Sequence, residues 1–155
     1  MFNVCLHEVV VSRKRKKIKV LVIEDDLNMC IYLCNLLRAD GFDPCDAQNR
    51  VAGIEKIRSE KPALIVLDGM LPDEESIAIY YRLKSDPELQ HIPVVMMASI
   101  DQRTFCYYQR CQQLQHPVKV PDPEAFLTKP PEAEEFLTTV KRLVESPPVS
   151  QRKAP

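Results

Sequence analysis

The chain of 155 residues has no tryptophan and only three glycines, at positions 41, 53 and 69. Average usage would supply about eleven glycines in this length. With so few, neither G-x-G-x-x-G nor G-x-x-x-x-G-K-[ST] can be written anywhere in the sequence. A nucleotide whose phosphates are cradled by a glycine-rich loop is therefore excluded as the ligand. Long apolar runs are missing too, and none approaches the roughly 18 residues of a membrane span. The six cysteines, at 5, 30, 34, 45, 106 and 111, contain no C-x-x-C pair. They read as reduced, small hydrophobes in a cytoplasmic protein. Proline is the excess: 13 residues.

The start of the chain is not a secretory signal, because its basic run follows the apolar stretch instead of preceding it. Charge is unevenly spread. Residues 1–19 hold six Lys/Arg and one acid, although the whole chain carries a net charge of −1. The run Arg13-Lys14-Arg15-Lys16-Lys17 has the composition of an anion-binding patch. No helix-turn-helix pattern or interleaved aromatic residues accompany it, so it reads as a solvated lead-in, with no nucleic-acid or membrane partner expected. Residues 1–17 are taken as a basic extension, 18–146 as the one folded domain, and 147–155, rich in proline and polar residues, as a disordered tail.

Between these ends, short apolar runs alternate with amphipathic stretches. Strands are expected at Ile18–Ile23, Phe42–Ala47, Ala63–Leu67, Val94–Met97 and Ala125–Thr128. Helices are expected at Leu27–Ala39, Val51–Ser59, Ser76–Lys84, 102–115 and Glu132–Val144. Pro44 suggests that the second strand lies at an edge or bend. Five strands alternating with helices imply an α/β fold, a doubly wound five-stranded parallel sheet covered on both faces. In such sheets the functional site lies beyond the carboxyl ends of the strands.

Those ends carry Glu24-Asp25-Asp26 after the first strand, Asp68 after the third, Ala98 and Ser99 after the fourth, and Lys129 after the fifth. Clustered carboxylates repel one another unless a cation neutralises them. Oxygen-only ligands suit Mg²⁺, and a neighbouring lysine suits a phosphoryl group. The chemistry favoured is attack of a carboxylate on phosphorus to give an aspartyl phosphate.

The segments KVLVIEDD (19–26), LIVLDGMLPD (64–73), IPVVMMAS (92–99) and FLTKP (126–130) resemble the receiver domain of two-component response regulators. The resemblance covers residues 18–145. It implies the flavodoxin-like receiver fold, with Asp68 as phosphoacceptor and Lys129 binding the phosphoryl group. It also implies Mg²⁺ held by Asp25, Asp68 and the backbone carbonyl of Met70, with Glu24 acting through water. Phe126 falls where the family places an aromatic switch residue, and Lys129-Pro130 where it commonly has a cis peptide bond. The implied donor is a sensor histidine kinase or a phosphotransfer protein, and the output is another protein. No enzymatic turnover is expected beyond the chain's own phosphorylation and dephosphorylation. A phosphohydrolase is set aside because Met70 stands where its second, acid/base aspartate would be.

Three departures from the family pattern stand out. The switch hydroxyl is expected at position 98, which is Ala98; either Ser99 supplies it from one residue further on, or it is missing. Ser76 stands where the family commonly has glycine. The segment 115–125, QHPVKVPDPEA, replaces a glycine-containing turn with three prolines and predicts a stiff, extended loop. Phe105, Tyr107 and Tyr108 lie just before it, and one or two of them are expected to pack into the core. These departures support an alternative reading, a pseudo-receiver that docks partners without being phosphorylated.

Overall fold

The computed structural model describes residues 16–146. Most of the basic extension and the whole of the proposed tail lie outside the described residues. Five strands, β1 (Lys19–Ile23), β2 (Asp43–Ala47), β3 (Leu64–Asp68), β4 (Val94–Ala98) and β5 (Ala125–Thr128), form one parallel sheet in the order β2-β1-β3-β4-β5. The helices are α1 (Leu27–Ala39), α2 (Arg50–Glu60), α3 (Glu75–Ser85), α4 (Gln102–Gln113) and α5 (Ala133–Glu145). A single 3₁₀ turn at Pro72–Glu74, not expected from the sequence, leads into α3. The other elements fall within a residue or two of their expected bounds, and β2 is an edge strand as Pro44 suggested.

The near-continuous hydrophobicity of β1, β3 and β4 follows from burial on both faces. Alternate residues serve opposite layers. Leu21, Ile23, Ile65, Leu67 and Met96 pack with Ile57 of α2, Ile79 of α3 and Phe105 of α4. Val20, Val22, Leu64, Val66, Val95 and Met97 pack with Leu33 and Leu37 of α1 and Phe136 and Val140 of α5. Each such side chain, fully withdrawn from water, contributes about 1.5–3 kcal/mol.

Local chemistry sets the helix ends. Asp26 caps α1 by accepting from Met29 N at 2.8 Å, Asn49 caps α2 through Ala52 N at 3.0 Å, and Asp101 caps α4 through Thr104 N at 3.0 Å. Past the end of α1, Gly41 adopts φ 92°, a left-handed conformation that its missing Cβ permits. One scarce glycine is thereby accounted for by a helix stop.

The parallel register then aligns the site. Ile23 pairs with Leu67, Asp68 with Met97, and Ala98 with Thr128. Residues that follow these pairs emerge side by side along one edge of the sheet.

Candidate functional site: an acidic cleft at the strand ends

The cleft at that edge has a volume of about 680 Å³ and is lined by Glu24, Asp25, Asp68, Met70, Ser99 and Lys129, among others. Carboxylate oxygens of Glu24, Asp25 and Asp68 lie within 4.8 Å of one another. Glu24 and Asp68 are buried and Asp25 is exposed. Into this group reaches Lys129, whose Nζ is 2.5 Å from Glu24 Oε2 and 3.0 Å from Asp68 Oδ2.

The run of three acids divides its work. Asp26, exposed at the cleft lining, caps α1. Glu24 accepts from Asp26 N at 3.1 Å through its other oxygen, which fixes its direction. Asp25 is left at the solvent side of the cleft. Asp68 Oδ1 accepts from Met70 N at 2.9 Å, tying the carboxylate to the turn that follows β3.

The electrostatics of the group are unbalanced: three carboxylates face one ammonium. Burial pushes the Glu24 carboxyl up to about 7, and the charge of Asp68 adds to that rise, while Lys129 and Asp26 N oppose it. The Lys129 ammonium is held above its ordinary range, its desolvation outweighed by Glu24 and Asp68. A buried carboxylate surplus of this kind is what a bound cation relieves. The donors are all oxygens and include an exposed carboxylate, which fits Mg²⁺ better than a thiol- or imidazole-seeking metal. Among the described residues, no other group of this type is found.

Other expected site residues fall as follows. Ala98 ends β4, has no exposed surface, and packs into the layer with α3 and α4; its carbonyl accepts from Lys129 N at 2.8 Å. Ser99, one residue on, is exposed and lines the cleft. Within β4, alanine thus occupies the core-facing position, and the hydroxyl of Ser99 lies at the rim. Phe126 is partly buried against the same layer as Ala98, 5.3 Å from the Phe105 ring. The Lys129-Pro130 peptide bond is cis. Of the aromatic residues before the loop, Phe105 is buried and Tyr108 partly so, while Tyr107 is 73% exposed.

A family model of the response regulator receiver domain matches residues 20–141. The chain belongs to the response regulator receiver domain family. This receiver is 27% identical over 123 residues to the polar-differentiation response regulator DivK of Brucella anthropi, covering 79% of the chain and 92% of DivK. It is 32% identical over 81 residues to the phosphate regulon transcriptional regulatory protein PhoB of Escherichia coli, a match covering 52% of the chain and 35% of PhoB. Among solved structures, a CheY-like response regulator receiver domain protein from Methanospirillum hungatei aligns with a TM-score of 0.69 at 17% identity, over 84% of this chain and 95% of that one. At that identity the likeness establishes the flavodoxin-like receiver fold.

Two features of this receiver had no clear sequence signal. The hydroxyl of Ser76, buried in the first turn of α3, accepts from Leu71 N at 2.9 Å and closes the turn after Asp68. Lys84, near the end of α3, is buried and pairs with Glu124 at 2.8 Å, forty residues away. The proline-rich loop is thereby fastened to α3, and Tyr80 Oη fastens it again by donating to Pro121 O at 2.6 Å.

Proposed function

We propose that this receiver accepts a phosphoryl group on Asp68 from a sensor histidine kinase or phosphotransfer protein in the cytoplasm, and passes the signal to a separate output protein. The observation that carries this reading is the contact of Lys129 with the buried Glu24 and Asp68 at the carboxyl ends of three strands, with Asp25 beside it. An Asp68 carboxylate oxygen attacks phosphorus, the donor's imidazole nitrogen leaves, and an acyl phosphate forms. Lys129, already 3.0 Å from Asp68 Oδ2, neutralises charge that builds on the transferring group. Asp25, Asp68, Glu24 and the Met70 carbonyl would hold Mg²⁺, which supplies further charge neutralisation when bound. No base is needed to activate the nucleophile, since it is a carboxylate. Turnover of an external substrate is not expected. Among the described residues, no helix is long and apolar enough to cross a membrane.

One observation favours a second reading. Because Ala98 lacks a hydroxyl and is sealed in the core, a phosphoryl group has no side-chain donor at that position to draw inward. A docking module that is never phosphorylated would tolerate this. Binding of beryllofluoride, a phosphoryl mimic, separates the two. A Mg²⁺-dependent bound fluorine signal, lost in Asp68→Asn, supports the phosphoacceptor; no bound signal supports the docking module.

A further inference from the structure

The helix α4 is attached to the sheet by very little. Its buried side chains are Phe105 and Gln109, with Tyr108 partly buried against the same layer, so Phe105 is its main apolar anchor. That ring stands directly against Gly69, the residue after Asp68. A Cβ built on Gly69 would meet Phe105 Cε2 at 2.6 Å and Cζ at 2.8 Å, distances that a real Cβ does not tolerate. Gly69 is therefore glycine so that the α4 anchor can touch the backbone of the acidic site. The same stretch of backbone is tied to the Asp68 carboxylate by the Met70 N–H and to β4 by Gly69 N donating to Met97 O at 2.6 Å. The Phe105 ring also lies 5.3 Å from the Phe126 ring, centroid to centroid, tilted 39° to it.

We propose that Phe105 is the positioning residue that reads the state of Asp68 in this receiver. The inference rests on Asp68 being the phosphoacceptor. A group added to the carboxylate disturbs the Met70 N–H contact and shifts the 69–70 backbone. With no Cβ between them, that shift presses on the Phe105 ring. A close-packed contact transmits displacement because neither side has free volume to absorb it. Phe105 then carries α4 and Phe126 with it, since it is the one buried apolar side chain of α4, with Tyr108 only partly buried beside it. Coupling of this kind needs no hydroxyl at position 98, where the chain has alanine. The element that moves presents Tyr107 to solvent, so the outer face of α4 is displaced as the anchor shifts.

The test is amide hydrogen exchange of the full chain with Mg²⁺, with and without beryllofluoride, in wild type and Phe105→Leu. Bound beryllofluoride is followed by its own fluorine signal. In wild type, binding is expected to change exchange across residues 101–114 and around Phe126. In Phe105→Leu, the fluorine signal is expected to persist while that response is lost. A purely structural role for Phe105 would raise baseline exchange and leave the response intact, and that result overturns the proposal. Absence of bound beryllofluoride in wild type removes the phosphoacceptor reading and this inference with it. If Phe105→Leu does not fold, Gly69→Ala decides. The new methyl group must push the ring, so exchange is expected to rise in α4 without beryllofluoride while α1 is unchanged. Unaltered α4 exchange in that variant contradicts the proposal.

Discussion

Two lysines, Lys84 buried and Lys129 half-buried, sit at opposite ends of β4, and their surroundings differ in one respect that separates a site from a strut. Lys84 has a 1% exposed side chain and meets one carboxylate, that of Glu124, which is 22% exposed. The pair is tied further: the ammonium also donates to Ile92 O at 3.0 Å, and the second Glu124 oxygen accepts from Val94 N at 2.7 Å. One ammonium thus meets one carboxylate. At the other end Lys129 meets Glu24 and Asp68 with Asp25 alongside, so negative charge is in excess and an open cleft gives access to it. Burial of a lysine is thus no guide to function by itself. The local ratio of opposite charges is.

The largest effect is expected at the strut. Replacing Lys84 with methionine strands the Glu124 carboxylate, and losing one partner of a buried pair costs about 3 kcal/mol. Lys84→Met is expected to lower the urea midpoint by that equivalent, and to leave Mg²⁺-dependent beryllofluoride binding in place. Loss of binding without loss of stability would show that the two ends are not separable. A smaller effect is expected at Ser76, which closes the turn between them. Ser76→Ala leaves the Leu71 N–H unpaired, at a cost of about 1–2 kcal/mol, also read by urea unfolding.

The third effect has the opposite sign. Glu24 titrates near 7 in the folded chain, above its ordinary 4.5, because burial and Asp68 oppose its charge. A raised folded value means that its contribution to stability is complete below pH 4.5 and is lost as pH rises through 7. Metal-free protein is therefore expected to become less stable between pH 5 and pH 8, and Glu24→Gln to be more stable than wild type at pH 8 by about 1 kcal/mol. The equivalent neutral change at the strut, Glu124→Gln, is expected to destabilise. Thermal unfolding in EDTA across that range checks both. Equal signs for the two glutamates would end the distinction between surplus and balance.

Much of this was legible in the sequence, for identifiable reasons. The buried strands announce themselves by unbroken runs such as LIVL, and the acids that follow them are conspicuous because they end those runs. Parallel pairing then forces Glu24, Asp68 and Lys129 to one edge without further information. What escaped depends on chain segments far apart. Lys84 belongs to a helix and looks like any solvated lysine until the loop 115–125 folds back with Glu124. Ser76 reads only as a missing glycine, because its bond to Leu71 N depends on the shape of the turn. The placement of Ala98 in the core and Ser99 at the rim follows from where β4 ends, a boundary that apolar periodicity fixes only to within a residue. The scarcity of glycine takes on meaning in the structure: Gly41 stops a helix at φ 92°, and Gly69 admits the Phe105 ring.

The carboxylate surplus is expected to make Asp68 a metal-dependent phosphoacceptor. Incubation of the full chain with acetyl phosphate and Mg²⁺, followed by intact-mass measurement, addresses it most directly. The expected result is one added phosphoryl group, absent in EDTA and absent in Asp68→Asn. No added mass in the presence of Mg²⁺, or an adduct that survives Asp68→Asn, would show that Asp68 is not the acceptor.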